Sequence, residues 1–510
     1  MSRYRLGVDV GGTHTDIVLA DKTARNLIIE KVPSTPDNPA RAVIAGLEKL
    51  RQRGIAADEI EFFGHGTTVS TNSLLESKGT RFGLLITRGF RAVQEVQNQA
   101  RESNQFNLRF QRPSALVPQS LTHEITGRMD FRGMELEPLD EAEIVEAVDS
   151  LVELGVTSFA VCYLFAFANP VHEQRTAQIL RSRCAEAFVS LSSDVLPCVR
   201  EWPRLSTTLL DAYLAPIVAS YARELSDELD GAGLATKQRF LMQSNGGVMS
   251  LSAAGEGTGV VHTLLSGPAA GVQGCSHVIG SGQGFGSLVT LDMGGTSCDI
   301  AFIENGRALE ATQGKIAERD VHIPMLDVAT ISAGGGTIAR VDAAHQPVVG
   351  PDSAGADPGP ACYGHGGTEP TVTDADLLCG YLNPNHFLGG RQRLNRNAAA
   401  AAIERAVAEP MGLVATSAAL GIVRLINGRM ADKIRVLAAK KAVDLRSFTL
   451  VPFGGAGPVH AAMVAAELGV RHVLVPPHPG AFSALGLLCS DVVHDYVRSS
   501  LGAFEAIIPE

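Results

Sequence analysis

The sequence predicts an α/β fold built of two related lobes. Its 510 residues are enough for several domain-sized units, and 45% apolar with 19% charged residues is typical of a globular chain. Helical and strand-like patterns alternate along the chain, which favours α/β architecture. A short segment near the N-terminus recurs beyond the middle of the chain, which predicts that a second lobe resembles the first.

The repeat consists of residues 6–17, LGVDVGGTHTDI, and residues 289–300, VTLDMGGTSCDI. Apolar residues precede each Gly-Gly-Thr and a second apolar run follows it, so each copy is predicted to be a β-hairpin with a tight turn. Two hairpins this far apart indicate two lobes rather than a short-period solenoid. One register shift aligns Asp9 with Asp292, Gly11, Gly12 and Thr13 with Gly294, Gly295 and Thr296, and Asp16 with Asp299.

Between and after the hairpins, periodicity predicts further elements of both kinds. A buried strand is predicted at 156–167 and a long helix at 205–229, interrupted at Pro216. Other predicted helices are 140–154, 172–187, 398–408 and 415–439. The Gly- and Pro-rich segment 349–373 is predicted to be an ordered loop at a cleft.

Composition excludes several classes of function. A net charge of −11 disfavours nucleic-acid binding and a membrane-surface role, and the longest apolar run, 159–168, is short of the ~20 residues of a spanning helix. Eight scattered cysteines without CxxC spacing, together with an N-terminus that enters a strand at once, indicate a reduced, cytoplasmic protein.

The two Gly-Gly-Thr turns are candidates for phosphate binding. Consecutive N–H groups without a Cβ can approach a phosphate, and the hydroxyls of Thr13, Thr15 and Thr296 add donors. Asp9 and Asp292 precede the turns, where a carboxylate holds Mg²⁺, usually through water. The alternative is that each is an ordinary hairpin capped by Asp. No GxxxxGK[ST] occurs, and the segment after each turn is a strand rather than the helix of a dinucleotide fingerprint.

Three other glycine clusters and one histidine remain candidates. The stretches 331–338, 264–271 and 453–458 resemble loops that approach a phosphate or a purine, with packing turns as the alternative. His65 opens a hydroxyl-rich stretch, 65–72, and could act as a base; the alternative is a structural histidine at the start of a helix. No GxSxG elbow of a serine hydrolase appears.

Together these stretches resemble the hydantoinase A / 5-oxoprolinase family, which includes acetone carboxylase β-type subunits. The matching segments include VDVGGTHTD, GHGTTVSTNSLL, MQSNGGVMS, LLSGPAAGV, LDMGGTSCDI, ISAGGGTIARVD, FGGAGPVHA and PGAFSALGLL, in the order of the family. The resemblance implies an actin-like ATPase (ribonuclease H-like) fold with ATP and Mg²⁺ as cofactors. A stretch of Pro and polar residues at 191–203, LSSDVLPCVREWP, favours a lobe boundary there. The chain is predicted to divide into an N-terminal lobe, 1–190, a second lobe, 191–495, and a tail, 496–510. Family chains usually continue further, so we expect a C-terminal domain to be missing.

The resemblance implies that Asp9 with Gly11, Gly12 and Thr13 forms a first phosphate loop, that Asp292 with Gly294, Gly295 and Thr296 forms a second, and that Gly454 and Gly455 lie in an adenosine loop. These residues and the candidates named above make up the predicted site. Asp9 and Asp292, with His65, are predicted to be catalytic, and the two aspartates to bind the metal. The residues predicted to bind the cofactor are Gly11, Gly12, Thr13, Thr15, Gly294, Gly295, Thr296, Gly334, Gly335, Gly336, Gly454, Gly455 and Gly457.

The function that the resemblance implies is ATP-dependent opening of a cyclic amide, such as a hydantoin or 5-oxoproline, with a hydantoinase B-type partner subunit. Phosphorylating the carbonyl oxygen would turn it into a leaving group. Three alternatives stay open: a subunit of an ATP-dependent ketone carboxylase, a non-enzymatic actin-like ATP switch, and a small-molecule kinase.

Overall fold

The structure, a computed structural model, describes residues 3–21, 26–35, 38–98 and 108–501. The end of the predicted tail, from residue 502, lies outside them. The strands are β1 Tyr4–Val10, β2 His14–Asp21, β3 Leu27–Pro33, β4 Ile60–Gly66, β5 Gly83–Thr87, β6 Thr122–Ile125, β7 Arg128–Met129, β8 Glu135–Glu137, β9 Ser158–Cys162, β10 Phe188–Leu191, β11 Arg239–Met242, β12 Val248–Ser250, β13 Leu288–Met293, β14 Cys298–Glu304, β15 Arg307–Ala308, β16 Glu310–Ala311, β17 Gly314–Ile316, β18 Arg319–Val321, β19 Met325–Leu326, β20 Val328–Ile331, β21 Thr337–Val341, β22 Pro347–Ser353, β23 Thr449–Phe453 and β24 His472–Val473.

The α-helices are α1 Pro39–Gln52, α2 Val69–Leu75, α3 Val93–Val96, α4 Glu141–Glu153, α5 Val171–Arg183, α6 Ser192–Val195, α7 Glu201–Gly231, α8 Leu251–Gly255, α9 Ser266–Gly274, α10 Val372–Cys379, α11 Arg396–Ile403, α12 Glu409–Met411, α13 Ala415–Lys441, α14 Gly457–Leu468 and α15 Phe482–Leu487. The helices predicted at 140–154, 172–187 and 415–439 are confirmed as α4, α5 and α13. The predicted loop 349–373 begins instead inside β22, which pairs with β21.

The first hairpin lies in a six-stranded sheet of order β12-β11-β4-β1-β2-β3. β1 and β2 are antiparallel and place Asp9 opposite Asp16. β4 is parallel to β1 and brings Gly66 beside Asp9, while β3 places Lys31 opposite Asp16. A four-stranded sheet, β10-β9-β5-β6, shares the same hydrophobic core.

The second hairpin repeats this arrangement. β13 and β14 are antiparallel, with Asp292 opposite Asp299. β23 is parallel to β13 and brings Phe453 beside Asp292, while β20 places Thr330 opposite Asp299. The predicted duplication is confirmed, and it includes two flanking strands that the sequence repeat does not cover. The division at residue 190 stays a prediction; the first sheet itself includes β11 and β12, which follow that residue.

Two helices, α9 and α15, pack against each other between the two hairpin sheets. Glycines make this packing close. A Cβ built on Gly486 of α15 would lie 1.9 Å from Ala270 O of α9, and one built on Gly7 of β1 would lie 2.2 Å from Ala484 O of α15. These backbones therefore touch with no room for a methyl group.

Helix α7 continues through the predicted interruption. Pro216 lacks an N–H, so it frees the carbonyl of Ala212 one turn earlier. The Ser158 hydroxyl donates to Ala212 O at 2.7 Å and replaces the missing helical hydrogen bond. Because its backbone acceptor is satisfied, the 31-residue helix stays whole.

The strand predicted at 156–167 ends at Cys162 in the structure, so the prediction is wrong beyond that residue. The chain turns there because side chains take over its backbone donors: Tyr163 N–H donates to Glu173 Oε1 at 2.8 Å, and Leu164 N–H donates to Thr87 Oγ1 at 3.0 Å. These two bonds end the ladder of β9 without leaving buried N–H groups unpaired.

No single helix in the described ranges is both long and apolar enough to cross a membrane. Only 396–411 and 415–441 taken together reach that length and composition, with an 89° bend between them.

Candidate functional site

The turn of the first hairpin leaves two backbone donors free. Gly11 N–H donates to His14 O at 3.0 Å and closes the turn, and the Ser34 hydroxyl supports it by donating to Gly11 O at 2.6 Å. Among the described residues, the N–H groups of Gly12 and Thr13 have no acceptor. Adjacent free N–H groups form the kind of concavity that binds an anion.

Thr15 faces away from this turn. It is fully buried, and its hydroxyl lies 3.1 Å from the Ser34 hydroxyl. The structure therefore gives Thr15 a place under the turn, where it holds Ser34, and a direct contact with a phosphate stays a prediction.

The second turn has the same form. Gly294 N–H donates to Ser297 O at 3.1 Å. The N–H groups of Gly295 and Thr296 have no acceptor in the part of the chain that the structure describes. Each hairpin thus offers two neighbouring free donors at equivalent positions.

The predicted phosphate loop at 334–336 supports the second hairpin. Gly335 N–H donates to Gly294 O at 3.0 Å and Gly336 N–H to Gly295 O at 2.7 Å, while Gly334 N–H is bonded within its own turn. All three N–H groups are occupied, so a phosphate cannot bind to them in this arrangement. Contact of these glycines with other parts of a nucleotide stays a prediction.

The two turns lie side by side. A Cβ built on Gly295 would be 3.5 Å from Thr13 Cγ2. This is a van der Waals contact between the two copies of the repeat. The turns of two hairpins that lie far apart in the sequence therefore meet in the structure.

Two pairs of carboxylates accompany these turns. Burial raises the pKa of Asp9 to about 7; the charge of Asp16 adds to this and Lys31 opposes it. Burial also raises the pKa of Asp292 well above its ordinary value, and the charges of Asp299, Asp9 and Asp16 add to that rise. Since each carboxylate disfavours ionisation of the others, the site needs protons or an added positive charge at neutral pH.

Lys31 was missed by the sequence analysis. Its Nζ lies 2.8 Å from Asp16 Oδ1 and donates to Gly480 O at 3.3 Å. The equivalent position in the second copy is Thr330, whose hydroxyl donates to Asp299. Only strand alternation after the first hairpin could have placed Lys31 on the same face as Asp16.

Ser483 is a second missed residue. Its hydroxyl is hydrogen-bonded to the Asp292 carboxylate, which lowers the pKa of that group against the larger effect of burial. Ser483 lies on α15, so this bond ties the second hairpin to the helix pair between the sheets. No local pattern links residues so far apart in the chain.

Each sheet also needs a glycine beside its first carboxylate. A Cβ built on Gly66 would lie 2.6 Å from Asp9 Oδ1, and one built on Gly454 would lie 2.4 Å from Asp292 Oδ1. Gly454 also has φ +78°, a left-handed conformation that favours glycine. Gly454, predicted to contact the adenosine, thus makes room for the second carboxylate.

The glycine cluster 453–458 is a strand-to-helix junction, since β23 ends at Phe453 and α14 begins at Gly457. Gly455 borders open space, because a built Cβ would have no atom within 4 Å. Gly457 packs against Leu291 O, 2.9 Å from a built Cβ. Contact of this junction with a nucleotide stays a prediction.

The geometry of His65 favours a structural role. The ring is fully buried, Nδ1 lies 3.0 Å from Val8 O, and Nε2 lies 2.6 Å from the Tyr221 hydroxyl. Val8 O can only accept, so Nδ1 carries the proton and Nε2 accepts from Tyr221. Both nitrogens are occupied beneath the first hairpin, and His65 has no surface to offer a substrate.

This histidine predicts a pH dependence of stability. Burial lowers the pKa of His65 to about 4, so the folded chain binds fewer protons than the unfolded chain between pH 4 and about 6.5. We expect its contribution to be complete above about pH 6.5 and to fall by roughly 3 kcal/mol toward pH 4. His65→Gln keeps a donor and an acceptor without titrating, so its urea-unfolding free energy should decline less steeply over this window. Parallel declines in both proteins would contradict the prediction.

Asp9 and Asp292 fit a Mg²⁺ site only if phosphate oxygens complete the coordination of the ion. Within the described ranges, no three His, Cys, Asp or Glu side chains converge closely enough to hold a metal ion alone. Mg²⁺ is commonly bound by one or two carboxylates together with phosphate oxygens and water. Asp9 and Asp292 provide two hard oxygen donors, whose pKa values are raised chiefly by burial and further by neighbouring carboxylates.

The class of protein follows from this geometry. Two matching sheets each carry an acid-and-glycine hairpin, the turns meet, and α9 and α15 pack between the sheets. This is the two-lobed actin-like ATPase fold that the sequence predicts.

The chain belongs to the hydantoinase/oxoprolinase family. Residues 5–184 match the family's "Hydantoinase/oxoprolinase N-terminal region" and residues 204–496 match "Hydantoinase/oxoprolinase". The predicted family is therefore confirmed.

One relative is the caprolactamase subunit alpha of Pseudomonas jessenii. It is 38% identical over 98% of this chain and 72% of its own length. The crystal structure of ATP-dependent caprolactamase from that organism matches with a TM-score of 0.84 and 37% identity, over 96% of this chain and 71% of the other.

Two further relatives extend the range of chemistry. The acetone carboxylase beta subunit of Xanthobacter autotrophicus is 31% identical over 97% of this chain and 70% of its own. The nucleotide-free structure of acetone carboxylase has a TM-score of 0.82 and 30% identity over 96% of this chain and 71% of its own. The 5-oxoprolinase 1 of Arabidopsis thaliana is 32% identical over 97% of this chain but only 42% of its own.

Proposed function

We propose that this chain is the ATP-binding subunit of a hydrolase that opens a cyclic amide, such as a hydantoin or 5-oxoproline, by phosphorylating its carbonyl oxygen. The observation that carries the proposal is the meeting of two hairpin turns, each with free N–H groups, beside Asp9 and Asp292. Relatives named as caprolactamase and 5-oxoprolinase support the choice of cyclic amide.

Each part of the site has a role in this proposal. The N–H groups of Gly12, Thr13, Gly295 and Thr296 donate to phosphate oxygens of ATP. Asp9 and Asp292 hold Mg²⁺, which supplies positive charge to the phosphates and to the crowded carboxylates. Phosphoryl transfer asks mainly for positioning and neutralised charge, and fixed N–H donors supply both without reorganising.

Phosphorylation would activate a substrate that otherwise reacts poorly with water. A cyclic amide is a poor electrophile, because nitrogen donates into its carbonyl group and the ring nitrogen is a poor leaving group. Transfer of the γ-phosphoryl group to the carbonyl oxygen makes that oxygen part of a good leaving group. Water can then add to the carbonyl carbon, and the C–N bond breaks as the nitrogen takes up a proton, which opens the ring to an acyl phosphate. A second water hydrolyses the acyl phosphate, so that ADP and phosphate are the other products.

A partner subunit is part of the proposal. Two of the relatives are named as an alpha and a beta subunit of larger enzymes, and we assign the hydantoinase B-type role to the partner of this chain. The partner would supply the nucleophile or its activation.

The test is a comparison of ATP hydrolysis with different substrates. We expect hydantoin, N-methylhydantoin or 5-oxoproline to raise turnover by the chain together with its partner at least about tenfold over the rate without substrate, because the ring carbonyl is the phosphoryl acceptor. Phosphate release and ring opening are measured together, and equal amounts of both are expected.

The similarity to acetone carboxylase favours one alternative, a subunit of a ketone carboxylase. Stimulation by acetone that requires bicarbonate, with no response to any cyclic amide, would establish that alternative. Turnover that responds to neither substrate would indicate a nucleotide switch. A stable phosphorylated product without ring opening would indicate a kinase.

A further inference from the structure

One arginine joins the sheets of the two hairpins at their edge. Arg391 follows the short turn Leu388–Gly390, which lies between α10 and α11. Its Nη1 donates to Lys31 O at 3.0 Å, and its Nη2 lies 3.6 Å from Glu30 Oε2. Both acceptors belong to β3, the edge strand of the first hairpin's sheet.

The turn that carries Arg391 is fixed to the sheet of the second hairpin. Phe387 and Leu394, on either side of the turn, pack in one cluster with Leu377 of α10. Helix α10 in turn packs on α13 and shares the hydrophobic core of β13 and β14. Leu388 has φ +50°, a conformation unfavourable for a residue with a Cβ, so this packing holds the turn in a strained form. The contacts of Arg391 with β3 therefore cross from one sheet to the other.

Compensation of the buried carboxylate does not explain why Arg391 is there. Glu30, whose side chain is 6% exposed, already pairs with Arg53 and lies 3.9 Å from Lys49 Nζ. Lys49 also donates to Lys31 O at 3.0 Å. Both cations come from the end of α1, on the same sheet as Glu30. What Arg391 adds is a link to the other sheet.

Strand β3 connects this link to the candidate site. Successive residues of a strand face opposite sides, so Lys31 directs its side chain away from Glu30. Lys31 Nζ lies 2.8 Å from Asp16 Oδ1, and Asp16 stands opposite Asp9. Arg391 thus holds the backbone of the residue whose side chain compensates the first pair of carboxylates.

We infer that Arg391 is a positioning residue for nucleotide binding, which holds β3 against the second sheet and so keeps the two hairpin turns together. The inference rests on one part of the proposed function, binding of a nucleoside triphosphate across both turns, and not on the choice of cyclic amide. Because the Arg391 side chain is 54% exposed, its loss leaves no buried charge of its own and costs little stability.

The expected effect is on affinity. A ligand that needs both turns binds only those chains in which the turns are together, so its apparent affinity falls with the fraction of such chains. Saturating nucleotide restores that arrangement by binding to it. Loss of Arg391 should therefore raise the KM for ATP about tenfold and change kcat by less than about twofold, whereas a mere loss of folded protein would lower kcat at unchanged KM.

The experiment measures binding directly. The chain is titrated with the fluorescent analogue N-methylanthraniloyl-ATP and Mg²⁺, without any cyclic amide. Arg391→Ala should weaken binding about tenfold, the size of one hydrogen bond to a charged group. Arg391→Lys keeps the charge without the fork of donors and should fall between the parent and the alanine variant. Arg393→Ala removes an exposed arginine two residues further on and is the matched control, with unchanged binding expected.

The outcomes separate this inference from the proposed function. Equal binding by the parent and Arg391→Ala, or an equal loss in Arg391→Ala and Arg393→Ala, overturns the inference and leaves the proposed function standing. The expected loss in Arg391→Ala alone, in a chain whose turnover no cyclic amide raises, keeps the inference and rejects ring opening. A parent chain that does not bind the analogue rejects both.

Discussion

Asp9→Asn and Asp292→Asn should each lower ATP turnover by at least about 100-fold, because in the proposed function each removes a charged ligand of the cation that accompanies the phosphates. Both substitutions keep the shape of the side chain, so the surrounding glycines Gly66 and Gly454 still fit. Turnover is measured as phosphate release under saturating nucleotide with the partner present. Retained turnover in either variant would reject the site.

The same variants should not lose stability. The pKa values of Asp9 and Asp292 are raised above their unfolded values, so their ionisation costs stability as pH rises above the unfolded value near 4. Removing that charge should make the variants equal to or more stable than the parent at pH 8 without cation. Asp432→Asn, on an exposed surface ion pair with Arg435, is the control and should change neither turnover nor stability.

Gly486→Ala should destabilise the chain by about 3 kcal/mol or more, the range of severe overpacking. Its Cβ would lie 1.9 Å from Ala270 O and 3.1 Å from Gly274 N, so α15 and α9 would have to separate. Urea unfolding followed by circular dichroism measures the effect. Since Ser483 on α15 holds Asp292, the shift should also lower ATP turnover of any folded fraction.

The matched control is Gly421→Ala. Gly421 also lies inside a helix, α13, but a built Cβ meets no atom within 4 Å. Alanine is the better helix former by up to about 1 kcal/mol, so this variant should be as stable as the parent or slightly more. Equal unfolding midpoints for the two variants would show that the α9–α15 contact is not close.

The hairpins could be predicted from the sequence because their information is local. Alternating apolar residues, a Gly-Gly-Thr turn and a second apolar run specify each hairpin within about 12 residues, and the repeat supplied the pairing of Asp9 with Asp292. Family resemblance then supplied the actin-like fold and the chemistry.

The rest of the site depends on contacts between distant segments. Ser483 is bonded to Asp292 from the far end of the second lobe, and the N–H groups of residues 334–336 are taken by carbonyls of the second turn. Neither fact has a signature in its own stretch of sequence. His65 lies in a hydroxyl-rich segment typical of a pocket, yet tertiary packing buries it completely.

The continuous helix α7 shows that secondary structure also depends on contacts between distant segments. Local rules correctly identify Pro216 as a residue that removes a hydrogen bond, but the repair comes from Ser158, a strand residue far earlier in the chain. A proline inside a predicted helix therefore need not end that helix when another segment donates a hydrogen bond to the freed carbonyl.

Lys31 in the first copy and Thr330 in the second occupy equivalent positions, and they make the surroundings of the two turns electrostatically unequal. The backbones around the two turns are near copies, but one carries an ammonium group opposite its second carboxylate and the other a hydroxyl. An elongated polyanion lying across both turns meets unequal fields at its two ends. Its two orientations are therefore not equivalent, and a fold with two matching hairpins can hold a chain of phosphates in a single direction.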